Sequence, residues 1–306
     1  MKRAFFMLMI LQLVIGSSQA FGDHKKFTKT IFEKNSLYQF IMVDDDLKKN
    51  ERYVLVNTKK DRPQGGISIN DPDKLLFEYT RLAFTSLAML DREPEDVLFV
   101  GLGAGVMPRY FNKYYPDANV DAVEIDPVMV EVAKKFFHFQ EKANLKVHTL
   151  DGRVYIKRTI NKYDMIFLDA YRGENIPFHL TTVEFLRELK GKLKEGGVVA
   201  SNVLSKPNNK YFWSMIKTYK EEFKSLYLFK GKKSGNFIFV ATVNKFQMKR
   251  NAFLARASRI QSARGMDINL RRLPWDYESG GFGWNSKILS DDFAPVNLYK
   301  HMKIDN

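Results

Sequence analysis

The sequence predicts an α/β protein: a doubly wound sheet of largely parallel strands with helices on both faces, preceded by a small β-rich layer. Three observations predict it. From residue 96 to about 244, apolar runs of strand length alternate with stretches of helical spacing, the order that βαβ crossovers require. The first run, 97–100, meets Gly101, Gly103 and Gly105, and 106–115 then has helical composition. A second apolar run ends on Glu124, 23 residues after Gly101, where a carboxylate can accept hydrogen bonds from ribose hydroxyls.

The elements follow in order. Residues 1–20 carry Lys2 and Arg3, an apolar stretch over 4–15 and the small-residue signal Ser18-Gln19-Ala20. This is the pattern of an export signal cleaved after Ala20, with an uncleaved membrane anchor as the alternative; the apolar run is short for a span of roughly 20 residues. Residues 21–70 form the β-rich unit, with strands at 37–43 and 52–57 and polar turns at 44–50 and 59–66. Asn70-Asp71-Pro72-Asp73 supplies a helix start, and Leu75, Leu76, Tyr79, Leu82, Ala83, Leu87 and Leu90 recur at helical spacing behind it. The main domain, 71–244, continues with helices at 127–137 and 153–159 and strands at 145–150 and 163–168. A helix at 182–193 opens on a Thr181/Glu184 capping box, and Gly196-Gly197 break the chain before a strand at 197–203. A helix at 211–223 and strands at 226–229 and 237–242 finish the sheet as an antiparallel pair. In the extension 245–306, a basic amphipathic helix runs over 245–264 with Phe246, Phe253, Leu254 and Ile260 as its apolar stripe. That stripe reads as core, with a membrane surface as the alternative.

Composition narrows the chemistry. The 306 residues are 45% hydrophobic and 14% aromatic, enough to bury a full core. There is no cysteine, which excludes thiol nucleophiles, disulfides and thiolate metal sites. The five histidines, His24, His138, His148, His179 and His301, are dispersed without metal-ligand spacing, so no metal site is expected. His179, just past the Asp169 loop, is expected to pack at a helix entry, with contact to the substrate as the alternative. The formal charge of +14 falls by two when residues 1–20 are removed. The basic residues are scattered, so the surplus reads as a soluble basic surface and no nucleic-acid partner is expected. Past the signal, no stretch is apolar enough to cross a bilayer.

Ligands of such sheets bind beyond the carboxyl ends of the strands. Gly101, Gly103 and Gly105 follow the first strand, Glu124 to Asp126 the second, Asp151-Gly152 the third and Asp169-Ala170-Tyr171 the fourth. An adenosine-bearing ligand fits this series: Glu124 on the ribose, Ile125 against the adenine face, and Asp151 accepting from the adenine amino group. Asp169 then sits at the reacting end, where a carboxylate can position an amine, stabilise its cation or take its proton. A dehydrogenase would share the glycine turn and the ribose acid, but it would not explain Asp151-Gly152 and Asp169 together.

The segments VLFVGLGAGVMPRYF, VDAVEIDPVMVEVAKKFF, LDGRVYI, YDMIFLDAYRGENIPFHLTTVEFL and LKEGGVVASNVL, with QGGISINDPDKLLFEYTRL upstream and SDDFAPVN near the end, resemble the spermidine synthase (polyamine aminopropyltransferase) family, in its bacterial spermidine-synthase-like branch. The resemblance implies a Rossmann-like, class I methyltransferase-type domain behind a small N-terminal β domain. It implies no permanently bound cofactor, and an aminopropyl group moved from decarboxylated S-adenosylmethionine to a polyamine such as putrescine. By the same resemblance Glu124 binds ribose, Asp151 and Gly152 contact adenine, Asp169 handles the attacking amine, and Gln64, Tyr79 and Tyr171 line the substrate cleft. Homodimers are common among such relatives.

Two positions depart from the pattern. Ala104 replaces the aspartate that grips the aminopropyl nitrogen, and Arg172 replaces a second aspartate that holds the diamine. A cation in place of an anion repels a diamine. Two further readings therefore stay open: a methyltransferase using intact S-adenosylmethionine, with Arg109 or Arg172 pairing a carboxylate, and a catalytically silent envelope protein that binds nucleosides or polyamines. The export signal places the mature chain in the periplasm.

Overall fold

Two sheets organise the chain, one small and antiparallel, the other large and mostly parallel. The computed structural model describes residues 28–58, 63–171, 176–205, 209–232, 234–244, 248–270 and 286–292. The export signal, Arg172, the start of the predicted C-terminal helix with Phe246, His24 and His301 lie outside the described residues.

The small sheet is a meander of β1 (Thr28–Asn35), β2 (Phe40–Asp46), β3 (Glu51–Val56) and β4 (Gly65–Ser68), in that order. β1 is an edge strand that the sequence reading does not contain. β2 starts at Phe40, three residues later than expected, because the Ser36 hydroxyl accepts the N–H groups of Tyr38 and Gln39 and holds 36–39 as a turn. β4, which the sequence reading does not contain, begins on the last two residues of the polar turn expected at 59–66. Its Gly66 lies opposite Tyr53, where a Cβ would meet the Tyr53 ring at 2.7 Å. Only a glycine lets the strands pair at that point.

The large sheet has the order β10-β11-β9-β8-β5-β6-β7. Its strands are β5 (Asp96–Val100), β6 (Asn119–Glu124), β7 (Leu145–Thr149), β8 (Tyr163–Leu168), β9 (Leu193–Leu204), β10 (Ser225–Lys230) and β11 (Asn236–Thr242). β5 to β9 pair in parallel, and β10 and β11 close one edge antiparallel. β5 lies between β6 and β8, so the winding reverses there and a crevice opens beyond the strand ends.

The strands read as unbroken apolar runs because both faces are buried. Val97, Phe99, Met165 and Phe167 face one core; Leu98, Val100, Ile166 and Leu168 face the other. The first core takes α1 (Glu78–Ala83), α2 (Val106–Tyr114), α3 (Pro127–Phe136), α7 (Arg250–Arg264) and the small sheet. The second takes α4 (Gly152–Arg158), α5 (Val183–Lys190) and α6 (Phe212–Glu222).

Local chemistry sets the helix starts. Asp126 and Asp151 accept the N–H groups of Val128 and Val154 at the heads of α3 and α4, as N-caps do. For α5 the cap is Thr182, which accepts from Phe185 N–H. The expected Thr181 instead donates to the Phe178 carbonyl, and Glu184 accepts from Asp291 N–H. The helix expected from Asn70 begins only at Glu78. Arg81 Nη1 takes the carbonyls of Leu75 and Leu76, and Arg109 bonds the Pro72 carbonyl, so 70–77 stays a loop held by side chains. Behind α1 the chain tightens into a fully buried 3-10 turn, Phe84–Met89. Gly196, at φ +71°, and Gly197 lie inside β9 as an irregularity opposite Tyr163–Met165; they do not precede the strand. α7 begins at Arg250 and packs Phe253, Ala257 and Ile260 into the core beside that 3-10 turn. Its stripe is core and not a membrane-facing surface.

Candidate active site

A cavity of about 640 Å³ lies beyond the carboxyl ends of β5, β6, β7 and β8, within the range of small-molecule sites. The loop after β5 forms its floor. Gly101 N–H donates to the Val123 carbonyl at 2.8 Å, and Asp169 N–H donates to the Val100 carbonyl at 2.8 Å, which locks the tips of β5, β6 and β8 together. Gly101 sits at φ +101°, and a Cβ there would lie 2.3 Å from the Asp169 carbonyl oxygen. This glycine is required for both reasons.

Glu124 is pinned beneath the loop, its Oε2 accepting Leu102 N–H at 3.1 Å and its Oε1 accepting Asp126 N–H at 3.0 Å. Burial raises its pKa, and those amide bonds oppose the shift. Ile125 keeps 38% of its surface exposed at the cavity wall. Asp151 caps α4 with Oδ1 and pairs through Oδ2 with His179 Nε2 at 2.9 Å, and this partner holds its pKa below the ordinary value.

At the other end, burial pushes the Asp169 carboxyl up to about 6, against hydrogen bonds from Asn202 and Tyr79 that favour the anion. Asn202 Nδ2 reaches Asp169 Oδ1 at 2.8 Å. Tyr171 Oη donates to the Asn202 carbonyl at 2.9 Å. Burial, and then Asp169 itself, holds the Tyr79 phenol well above its usual range, so it stays a donor. Phe77 stacks on Tyr79 at 6.0 Å.

Of the residues singled out in the sequence, Gly101, Gly103, Glu124, Ile125, Asp151, Gly152, Asp169, Gln64, Tyr79 and Tyr171 border this one cavity. Gly105 does not. It is the N-cap of α2 at φ +69°, and a Cβ there would meet Phe139 at 2.7 Å, so its role is in the backbone. Ala104 is 3% exposed, and its Cβ lies 2.6 Å from where a Cβ on Gly65 would stand. Arg109 is turned away, bonded to the carbonyls of Phe137 and Pro72, and is not free for a ligand carboxylate. His179 sits in the 3-10 turn Phe178–Leu180 ahead of α5, where it also borders the cavity and pairs with Asp151. Asn202 was missed because it lies inside an apolar strand, with no motif to mark it.

One carboxylate cluster, Glu95, Asp96 and Asp164, lies at the opposite ends of the strands. Arg92 bonds Asp164 at 2.7 Å, and Lys194 bridges Asp96 at 2.5 Å and Asp164 at 3.0 Å. These two cations offset two of the three negative charges, and Glu95, largely exposed, lies 3.6 Å from the same Lys194.

Residues 76–208 match the model of the spermine/spermidine synthase domain. The chain is 34% identical over 285 residues to a polyamine aminopropyltransferase of Vibrio vulnificus, covering 88% of this chain and 91% of that one. The chain belongs to the polyamine aminopropyltransferase family. Among solved structures, a spermidine synthase in complex with the transition state analogue AdoDATO superposes with a TM-score of 0.58 at 18% identity, over 78% of this chain and 88% of that one. Human methyltransferase-like protein 13 in complex with SAH superposes with a TM-score of 0.57 at 26% identity, over 66% of this chain and 96% of that one. The aminopropyltransferase fold, a Rossmann-like domain behind a small antiparallel sheet, is thus the fold of this chain.

Proposed function

We propose that this aminopropyltransferase moves an aminopropyl group from decarboxylated S-adenosylmethionine to a polyamine such as putrescine. The observation that carries the reading is Asp169, a buried carboxylate held between Asn202 and Tyr79 at the end of the cavity remote from Asp151. Near neutral pH its ionised form accepts the proton of an ammonium and leaves a free amine lone pair. That nitrogen attacks the aminopropyl carbon next to the sulfonium. The new C–N bond forms as the C–S bond breaks, its electron pair goes to sulfur, and methylthioadenosine leaves. The product nitrogen keeps its two protons as a secondary ammonium, and Asp169 gives the proton it took to solvent, which restores the carboxylate.

The donor choice rests on charge. Among the described residues lining the cavity, Glu124, Asp151 and Asp169 are acids and none is Lys or Arg. A donor whose tail ends in an ammonium suits that lining; one with an added carboxylate has no counter-ion there. Gly101, Gly103, Glu124, Ile125, Asp151 and Gly152 hold the adenosyl part in this reading, and Gln64, Tyr79 and Tyr171 face the acceptor.

The test is calorimetric titration with decarboxylated S-adenosylmethionine, S-adenosylmethionine and methylthioadenosine, followed by product assays with putrescine and spermidine. Preference for the decarboxylated donor, with product lost in Asp169→Asn, is expected. Preference for the intact donor replaces the reading by methyl transfer, and binding without turnover replaces it by a silent binding protein.

Three broader proposals follow from the sequence: residues 1–20 direct export to the periplasm, the mature chain divides at about residues 70 and 244, and it forms a homodimer. Among the described residues no helix is long and apolar enough to cross a membrane. Mass measurement of the secreted chain and light scattering test the first and last of these; limited proteolysis tests the division.

A further inference from the structure

The Asp151 carboxylate is heavily engaged before any ligand arrives. Oδ1 accepts Val154 N–H at 2.9 Å, the Arg153 backbone N–H adds a further bond, and Oδ2 lies 2.9 Å from His179 Nε2. An ionised carboxylate only accepts hydrogen bonds, so Nε2 carries a proton, and in the Nε2–H tautomer Nδ1 is an acceptor. Among the described residues Nδ1 has no hydrogen-bond partner, and the His179 side chain is one-third exposed beside the cavity. The ring is held from several sides. Phe178 meets it edge-on at 5.8 Å, Arg153 Nη1 bonds the His179 carbonyl at 3.3 Å, and the short 3-10 turn Phe178–Leu180 anchors on buried Leu180.

We propose that His179 is the side chain that reads the nucleobase of the donor, and that Asp151 is a positioning residue acting through it. This rests on the adenosyl reading of the cavity. A 6-aminopurine presents an N–H donor to Nδ1; a 6-oxopurine presents an acceptor to an acceptor and is rejected. A buried polar group left unpaired by the wrong ligand is what gives such sites their discrimination. The arrangement makes His179 a specificity determinant for adenosine over inosine compounds.

The experiment is calorimetric titration at pH 8 with methylthioadenosine and methylthioinosine, on the wild type, His179→Ala, Asp151→Asn and the double variant. Asparagine still caps a helix, so Asp151→Asn keeps the head of α4. The expected wild-type preference for the 6-amino compound is tenfold or more. It falls to within about threefold in each single variant, and the double variant is no worse than either one, as for residues acting as a unit. Discrimination retained in His179→Ala but lost in Asp151→Asn overturns the proposal in favour of direct reading by Asp151. Wild-type protein that binds neither nucleoside overturns the adenosyl reading itself, and the inference with it. If His179→Ala does not fold, imidazole nitrogen NMR of the wild type decides. Nδ1 of His179 shifts on adding methylthioadenosine if the proposal holds, and an unmoved resonance in the ligand-saturated protein overturns it.

Discussion

Asn202 Nδ2 donates to Asp169 Oδ1 across 2.8 Å, while Asn236 Nδ2 donates to Asn202 Oδ1, also at 2.8 Å. Asn236 fixes which way the Asn202 amide faces, so β11 orients β9 and β9 orients the acid at the end of β8. The bond favours the anion and opposes the burial that pushes Asp169 up to about 6. A hydrogen bond to a charged group is worth about 1.5–3 kcal/mol, or roughly one to two pH units. In Asn202→Ala the acidic limb of kcat/KM against pH is expected to move up by about one unit, with activity near pH 7 down about twofold and activity near pH 5 down about tenfold. An unmoved limb removes Asn202 from the control of Asp169.

The wild-type profile itself is expected to rise through about pH 6, where Asp169 loses its proton. Asp169→Asn removes that limb and lowers kcat by about 100- to 10,000-fold, the usual contribution of a positioned acid or base. A limb that survives the substitution belongs to another group.

Stability moves the opposite way. The folded-state pKa of Asp169 is raised from 3.8 to about 6, so its folded form binds the proton more tightly than its unfolded form. The stability this provides is complete below about pH 3.8 and is lost as pH rises through 6. At pH 8 the ionised group is a burden, reduced by the solvent in the cavity. Asp169→Asn is therefore expected to raise the unfolding free energy at pH 8 by about 1–2 kcal/mol, visible as a higher melting temperature with activity lost. An equal or lower melting temperature contradicts the burial argument.

Most of the fold and the line of the site were legible because period and spacing survive in sequence. The strand tips Gly101, Glu124, Asp151 and Asp169 follow apolar runs and border one cavity. What escaped depends on side chains that replace backbone partners or meet across long separations. Arg81 takes the carbonyls of Leu75 and Leu76, so an apparent helix start is a loop. β4 is two glycines followed by Ile67 and Ser68, with no apolar alternation to announce it. His179 and Asp151 stand 28 residues apart and Asn202 and Asp169 33 apart, pairings that no local pattern records.

Gly101→Ala joins two penalties at one atom. The residue sits at φ +101°, and the added Cβ falls 2.3 Å from the Asp169 carbonyl oxygen, backbone that is tied to Val100 and cannot swing aside. A loss of about 3 kcal/mol or more is expected, together with loss of donor binding, because the loop and Asp169 must move apart. Chemical denaturation with methylthioadenosine titration measures both. Gly103→Ala, whose Cβ would come no closer than 3.6 Å to Gln64 O at φ +52°, pays the strained φ alone and is expected to lose about 1–2 kcal/mol. Equal losses in the two variants would show that φ, and not the clash with Asp169, sets the cost.

Arg153 links the far end of the chain to the cavity wall. Its guanidinium bonds both oxygens of Glu188 and both of Asp291, and reaches the His179 carbonyl. The segment carrying Asp291 also inserts buried Leu289 against α5 and α6, with Val183 N–H on its carbonyl and its own N–H on Thr218 Oγ1. Arg153→Met keeps the aliphatic stem but leaves Glu188, which is 26% exposed, without this cation; about 1–3 kcal/mol of stability is expected to go. Because the same cation bonds the backbone of His179, the donor KM is expected to rise several-fold while the acceptor KM stays near the wild type. Asp291→Asn keeps the Arg153–Glu188 pair, whose 2.8 Å contact is independent of it, so it should lose less stability and leave the donor KM nearly unchanged. If the two variants shift the donor KM equally, the effect comes from the C-terminal segment as a whole and not from the hold of Arg153 on His179.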